Sequence, residues 1–247
     1  MKRFLASLFA LNSRCNQQNK RSSSRRGPRM RLGLEVLGER VLLNGEIQFD
    51  HGVLTIDGTQ YADNVKVVRK EDAVLASLSW TDNDGNHHRE TATVPAADLD
   101  LIIFRGHQGD DRFNNKTGVS SRADGGSGND SLYGGRGDDW LYGGDGSDLL
   151  RGRRGQDSLN GGGGSDVLDG GRGSDRLAGG RDAVRDQMTG GTGDDVFVLY
   201  GSQTEPRPRT TSPNGAPTVG STTGSSQWDD ITDYGTGGDT YTTISRR

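Results

Sequence analysis

The dominant pattern in the chain is one apolar residue in every nine. From residue 125 to 178 it reads GGSGNDSLY, GGRGDDWLY, GGDGSDLLR, GRRGQDSLN, GGGGSDVLD and GGRGSDRLA. In all six units the first and fourth positions are Gly, the sixth is Asp and the eighth is Leu. The second is Gly in every unit but one, where Arg153 stands. A helix face needs apolar residues three and four apart, which a period of nine does not supply. A six-residue turn followed by a three-residue strand does fit, with the middle side chain of the strand pointing inward. Two units then make one coil with a short strand on each side. Coils stacked at about 4.8 Å would line up Leu132, Leu141, Leu150, Leu159, Leu168 and Leu177 as a thin core between two parallel sheets. Gly at positions one, two and four is expected to permit positive φ and to bring carbonyls close together. The predicted fold class is all-β, a parallel β-roll or solenoid.

Looser copies flank the block. Gly106–Asn114 places Asp111 and Phe113 at the sixth and eighth positions, and Gly190–Val198 does so with Asp195 and Phe197. Gly179–Thr189 has two extra residues before Asp186 and Met188, and Asn115–Asp124 is a degenerate unit with Ser120 in the place of the Asp. Gly58–Lys66, with Asp63 and Val65, reads as a decayed copy. The rest of 46–105 is rich in β-branched residues in short runs and forms a small β-strand region. Its turn Asp82-Asn83-Asp84-Gly85-Asn86 is expected to join facing strands at Ser79–Thr81 and Arg89–Thr91. An EF-hand reading of that turn fails, because the sixth position is His87 where Gly is required and the twelfth is Thr93 where Glu is required.

Composition narrows the picture further. Only 29% of the 247 residues are hydrophobic and 40 are Gly, too little apolar material for a thick core along the whole chain. No stretch approaches the roughly 18–20 apolar residues of a membrane-spanning helix, so a transmembrane segment is not expected. A net charge of −4 is too balanced for a nucleic-acid scaffold, and no nucleic-acid partner is expected. Cys15 is the only cysteine, so neither an intrachain disulfide nor a thiolate zinc site can form. Charge is divided unevenly: residues 1–31 carry nine Lys and Arg and no acid, whereas 106–200 carry 16 Asp, no Glu and 11 Lys and Arg.

Residues 1–45 form a basic leader. Met1-Lys2-Arg3 followed by Phe4–Leu11 has the outline of a short signal peptide without a small-x-small cleavage site, and a disordered leader or a start at Met30 is the alternative. Residues 201–227 read as a flexible Ser/Thr/Pro/Gly loop and 228–247 as a capping strand and tail.

The aspartates need a reason of their own. Stacking puts Asp130, Asp148 and Asp166 in one column and Asp139, Asp157 and Asp175 in the other. Carboxylates about 5 Å apart repel, the more so beside protein. A divalent cation between neighbouring coils removes the repulsion, with turn carbonyls completing an all-oxygen shell. Such a shell suits calcium better than magnesium, which demands an octahedron and keeps water. Zinc would require His or Cys, and 125–178 contains neither.

The GGxGxDxUx units resemble the RTX, or hemolysin-type calcium-binding, repeats. The resemblance covers about 106–198 and implies that turn carbonyls and the sixth-position Asp bind calcium between units i and i+2. The residues so implied are Gly125, Ser127 and Asp130; Gly134, Arg136 and Asp139; Gly143, Asp145 and Asp148; Gly152, Arg154 and Asp157; Gly161, Gly163 and Asp166; and Gly170, Arg172 and Asp175. Asp111, Asp186 and Asp195 extend the set through the flanking copies, for about four to six Ca2+ ions. The two sites that share the turn of Arg153 are expected to be weaker. Arg136, Arg154, Arg172 and Arg181 are read as a solvated loop face that would attract anionic surface polymers. Trp228–Tyr234 and Gly238–Tyr241 resemble the strand that follows such arrays and caps their open end. Leu34–Leu43 resembles the LEPR-XLL motif near the start of many large surface or secreted proteins of planctomycete bacteria.

The sequence carries no catalytic signature of the common hydrolase or nucleotide-binding kinds. None of the four histidines, His51, His87, His88 and His107, belongs to an H-E-x-x-H, and the chain has no G-x-S-x-G or P-loop motif. The expectation is a non-enzymatic, secreted or cell-surface calcium-binding protein with a structural or adhesive role, its partners calcium and surface or matrix polymers. The alternative is an accessory module that aids secretion and folding in a larger enzyme or toxin system.

Overall fold

A computed structural model describes residues 45–182, 184–201, 210–211, 230–232 and 240–245. The basic leader with its LEPR-XLL-like segment, most of 201–227 and the residues around the last strands lie outside the described set. All regular structure among the described residues is β. β1 (Glu46–Asp50) and β2 (Val53–Asp57) form a hairpin, and β3 (Asp63–Lys70), β4 (Ala73–Thr81) and β5 (His87–Pro95) form a meander. The chain then alternates between two sheets. Its strands are β6 (Leu101–Arg105), β7 (Arg112–Lys116), β8 (Ser121–Ser127), β9 (Ser131–Tyr133), β10 (Trp140–Asp145), β11 (Leu149–Arg154), β12 (Ser158–Gly163), β13 (Val167–Arg172), β14 (Arg176–Gly180), β15 (Gln187–Thr192) and β16 (Val196–Gly201). β17 (Thr210–Thr211), β18 (Asp230–Thr232) and β19 (Thr240–Ser245) follow.

One sheet runs β1-β2-β6-β8-β10-β12-β14-β16-β19 and the other β17-β18-β15-β13-β11-β9-β7-β3-β4-β5. The strands of the nonapeptides pair in parallel across one coil, as a β-roll requires. Leu141 faces Leu159 and Leu159 faces Leu177 in the first sheet; Leu132 faces Leu150 and Leu150 faces Leu168 in the second. All six leucines are buried. The ladders continue beyond them through Ala123, Phe104 and Ile56 on one side and Phe113 and Val65 on the other.

Because the core is one side chain deep per strand, each Leu has few substitutes if it is shortened. Leu150→Ala should therefore cost about 2–5 kcal/mol, seen as a lower Tm in calcium-saturated thermal unfolding.

The strands of 46–105 lie in the same two sheets as the repeats. β2 pairs in parallel with β6, and β3 with β7. The decayed copy at 58–66 explains the continuity, since Val65 stacks in register on Phe113. Antiparallel strands then close this end: β1 on one sheet, β4 and β5 on the other. Here the core is thicker, with Leu54, Ile56, Leu78, Phe104 and Phe113 fully buried and the two Phe rings stacked at 5.2 Å. The turn at 82–86 joins β4 and β5 with Ser79 opposite Arg89. Asp82 organises it by accepting from the amides of Asp84 and Asn86. His87 and His88 begin β5 and so do not sit at the loop tip; His88 stacks on Trp80 at 5.0 Å and contacts Asp82.

Candidate metal centre

The sixth-position aspartates are buried and stand in two columns. In one, the backbone N–H of Asp63 donates to Oδ1 of Asp111 (2.7 Å), and Asp111 donates to Asp130 (2.7 Å). The series continues from Asp130 to Asp148 (2.7 Å), Asp148 to Asp166 (2.8 Å) and Asp166 to Asp186 (2.9 Å). In the other, Asp139 donates to Asp157, Asp157 to Asp175 and Asp175 to Asp195, each at 2.8 Å. The two extra residues before Asp186 leave this register intact. Ser121, not Ser120, stands in the place of the missing Asp: its N–H and Oγ both donate to Oδ1 of Asp139. The ten-residue unit takes its additional residue before the acidic position, which shifts the match by one.

Oδ1 is thus used by the neighbouring coil, and Oδ2 is the oxygen that remains. On Asp111, Asp130, Asp148, Asp157 and Asp175, Oδ2 is buried and has no hydrogen-bond partner. A buried carboxylate oxygen left this way is costly unless a cation meets it. Each such oxygen lies against the first-position Gly of its own turn. The first-position carbonyl of the next coil lies close by: Gly143 O is 2.6 Å from where a Cβ on Gly125 would be, and Gly190 O is 2.7 Å from one on Gly170. Here the structure corrects the reading of these glycines. Positive φ occurs at the second and fourth positions, as at Gly144 (115°) and Gly146 (141°), but not at the first. The first-position Gly is needed because a carboxylate and a carbonyl occupy the space of its Cβ. His107 (75°) and Arg153 (82°) hold the same left-handed conformation at the second position without being Gly.

Burial raises the carboxyls strongly. Desolvation is the largest cause in each case, with neighbouring aspartates in the stack adding to it: Asp111 is pushed up to about 9, Asp157 to about 8, Asp130 to about 7 and Asp175 to about 6. Asp148 and Asp139 are raised as well, again by burial. Each would be ionised at neutral pH far more readily beside a cation. Oxygen-only donors and paired carboxylates suit a hard divalent ion of flexible coordination, which fits calcium. Among the described residues no three His, Cys, Asp or Glu side chains cluster as a metal site, so carbonyls must supply much of any shell.

The RTX calcium-binding nonapeptide repeat family, in four copies, matches residues 124–159 and 152–183. This stretch is an RTX repeat array. No curated protein and no solved structure matches the chain. RTX repeats bind calcium, and within the array the structure separates the implied ligands into two groups. First-position carbonyls and sixth-position carboxylates converge between coils. Third-position residues turn their side chains outward: Arg136, Asp145, Arg154 and Arg172 are exposed. Third-position carbonyls are engaged across coils at Asp145, Gly163 and Arg172, which accept from the amides of Gly128, Gly146 and Gly155. A carbonyl has a second lone pair, so these oxygens retain capacity for an ion.

Sequence reasoning left Thr59 and the Gly135 amide out of the site. Thr59 N–H donates to Oδ2 of Asp63 (2.6 Å), and Gly135 N–H donates to Oδ2 of Asp139 (2.6 Å). A backbone amide aimed at a carboxylate leaves no mark in composition, and only the decayed match at Asp63 pointed toward the first of them.

Proposed function

We propose that this is a secreted or cell-surface calcium-binding β-roll protein without catalytic activity, which orders where calcium is abundant and serves a structural or adhesive role. The observation that carries the reading is the run of buried, unpartnered Oδ2 atoms in both columns beside the carbonyls of the next coil. Gly125, Asp130, Gly143 and Asp148, with their equivalents in the following coils, would hold the ions. Calcium supplies the positive charge that lets stacked carboxylates ionise inside the roll, so its binding free energy becomes folding free energy. An outer face bearing exposed Trp140 and Tyr142 supports the adhesive part. Together with Arg105, Arg122, Asp124 and Asn160 they line a shallow groove of about 520 Å³, suited to a surface polymer.

Far-UV circular dichroism of the full chain during calcium titration at mildly alkaline pH tests the reading, with magnesium as control. The expected result is a cooperative gain of β signal with calcium alone. A chain fully ordered in chelator and unmoved by calcium would overturn it. Protease shaving of intact source cells tests the location, since a surface protein is cleaved without lysis.

A further inference from the structure

We propose that the turn Gly134–Asp139 takes no calcium and is closed by the chain itself, through Ser121, Gly135 and the guanidinium of Arg153. This deepens the calcium reading above and rests on it. At Asp111, Asp130, Asp148, Asp157 and Asp175 the carboxylate that would meet an ion has an Oδ2 without a hydrogen-bond partner. Asp139 has no oxygen without a hydrogen-bond partner. Its Oδ1 accepts from Ser121 N–H (2.7 Å) and Ser121 Oγ (2.6 Å), and its Oδ2 accepts from Gly135 N–H (2.6 Å). The coil before it carries no carboxylate, because Ser121 stands there. An ion between Ser121 and Asp139 would meet only one carboxylate, which cannot neutralise it, and a single guanidinium supplies the matching charge. On the other side Asp139 stacks on Asp157, but the Asp139 oxygen that would face an ion there is held by the Gly135 amide.

That guanidinium comes from the turn after it. Arg153 holds φ 82° where the other five units of 125–178 have Gly. From there it reaches back to the carbonyls of Gly134 (3.0 Å) and Asn115 (2.9 Å) and to Oδ1 of Asn114 (3.2 Å). It lies 5.3 Å over the ring of Tyr133. By the pattern of Gly143 O beside Asp130, Gly134 O is the first-position carbonyl that would face an ion in the interval toward Ser121. The backbone agrees: Gly135 and Gly137 do not adopt the positive φ of their counterparts Gly144 and Gly146.

The head of the other column is closed in the same manner. Asp63 has its Oδ2 taken by Thr59 N–H (2.6 Å), with Thr59 Oγ1 3.2 Å from Oδ1. In both columns, then, a hydroxyl residue and a backbone amide replace the ion at the end nearest the antiparallel strands. The roll begins from a metal-independent end, and calcium orders the coils that follow.

Counting ions on the full chain by equilibrium dialysis at saturating calcium tests this. Asp139→Asn should leave the count unchanged, whereas Asp148→Asn, which belongs to two pairs, should lower it by one or two. Equal losses from both variants would overturn the proposal while leaving the calcium reading intact. No calcium on the native chain would overturn that reading instead. Hydrogen exchange of the native chain in chelator needs no variant. Peptides over 112–122 and 134–140 should stay protected while those over 167–192 exchange freely, and Arg153→Gly should remove the protection at 134–140. Uniform loss of protection in the native chain would also overturn the proposal.

Discussion

In a chelator, the coils beyond the metal-independent end are expected to hold their β structure in mild acid and to lose much of it as the pH rises from about 6 to about 9. An aspartate in the unfolded chain ionises near 3.8, whereas the buried carboxyls of Asp175, Asp130, Asp157 and Asp111 keep their protons to about 6, 7, 8 and 9. Between those limits the folded chain binds more protons than the unfolded one, so raising the pH favours unfolding. Below the unfolded value both states are protonated and these groups contribute no slope. Calcium reverses the picture. With the ion in place of the protons, the roll should be insensitive to pH across the same window, and apparent calcium affinity should fall as acid competes for the carboxylates. Circular dichroism against pH, with and without calcium, checks both arms. A metal-free signal that is flat over the window would show that the columns do not carry buried protons.

The fold was legible because the repeat has so few solutions. A single Leu in nine residues, with Gly and Asp in fixed places, specifies a coil with one inward side chain per strand, and the registers Leu132–Leu150–Leu168 and Leu141–Leu159–Leu177 follow. The joining of 46–105 to the roll was less legible. Ordinary alternating strands such as β4 say which face is buried but not which strand will be the neighbour. Only Asp63 and Val65, in a copy that has lost most of its glycines, marked the point where the solenoid starts.

The candidate site was legible as a pair of aspartate columns and not as individual turns. A column is a matter of period, and period survives insertion: Asp186 and Asp195 keep register after two extra residues. What a turn does with its carboxylate depends on where amides and distant side chains point. Arg153 reads as a defect in its own unit, yet its guanidinium acts 19 residues back on Gly134 and 38 back on Asn115. The unit at 115–124 reads as the loss of an acid at Ser120, yet the hydroxyl of the next residue, Ser121, is what satisfies Asp139. Both are departures from the repeat that compensate each other across a coil, a relation visible only once the coils are stacked.

Gly143→Ala is expected to disable two neighbouring coils at once, by a route unrelated to backbone freedom. Gly143 lacks positive φ, so alanine is conformationally acceptable there. Its Cβ is not. It would lie 2.5 Å from the carbonyl oxygen of Gly161 and 2.7 Å from Cγ of Asp148, and would press into Oδ2 of that same carboxylate. The carbonyl belongs to the parallel strand stack and cannot turn away without breaking its ladder, and the carboxylate is fixed through Oδ1 by the amide of Asp130. Overpacking of this kind costs about 3 kcal/mol or more, equivalent to a fall in Tm of roughly 6–12 °C for a chain of this size. The carbonyl and carboxylate that must shift are those that would face the ion, so the calcium needed for half-maximal ordering should rise as well. Gly163→Ala is the internal control. Its Cβ would meet nothing nearer than Oδ1 of Asp145 at 3.5 Å, and it occupies the third position, where the six units carry Ser, Arg, Asp, Arg, Gly and Arg. That variant should match the native chain in both Tm and calcium response. Equal destabilisation by the two alanines would mean that first-position glycines serve only the flexibility of the turn, and the packing of carboxylate against glycine would lose its place as the reason the repeat begins as it does.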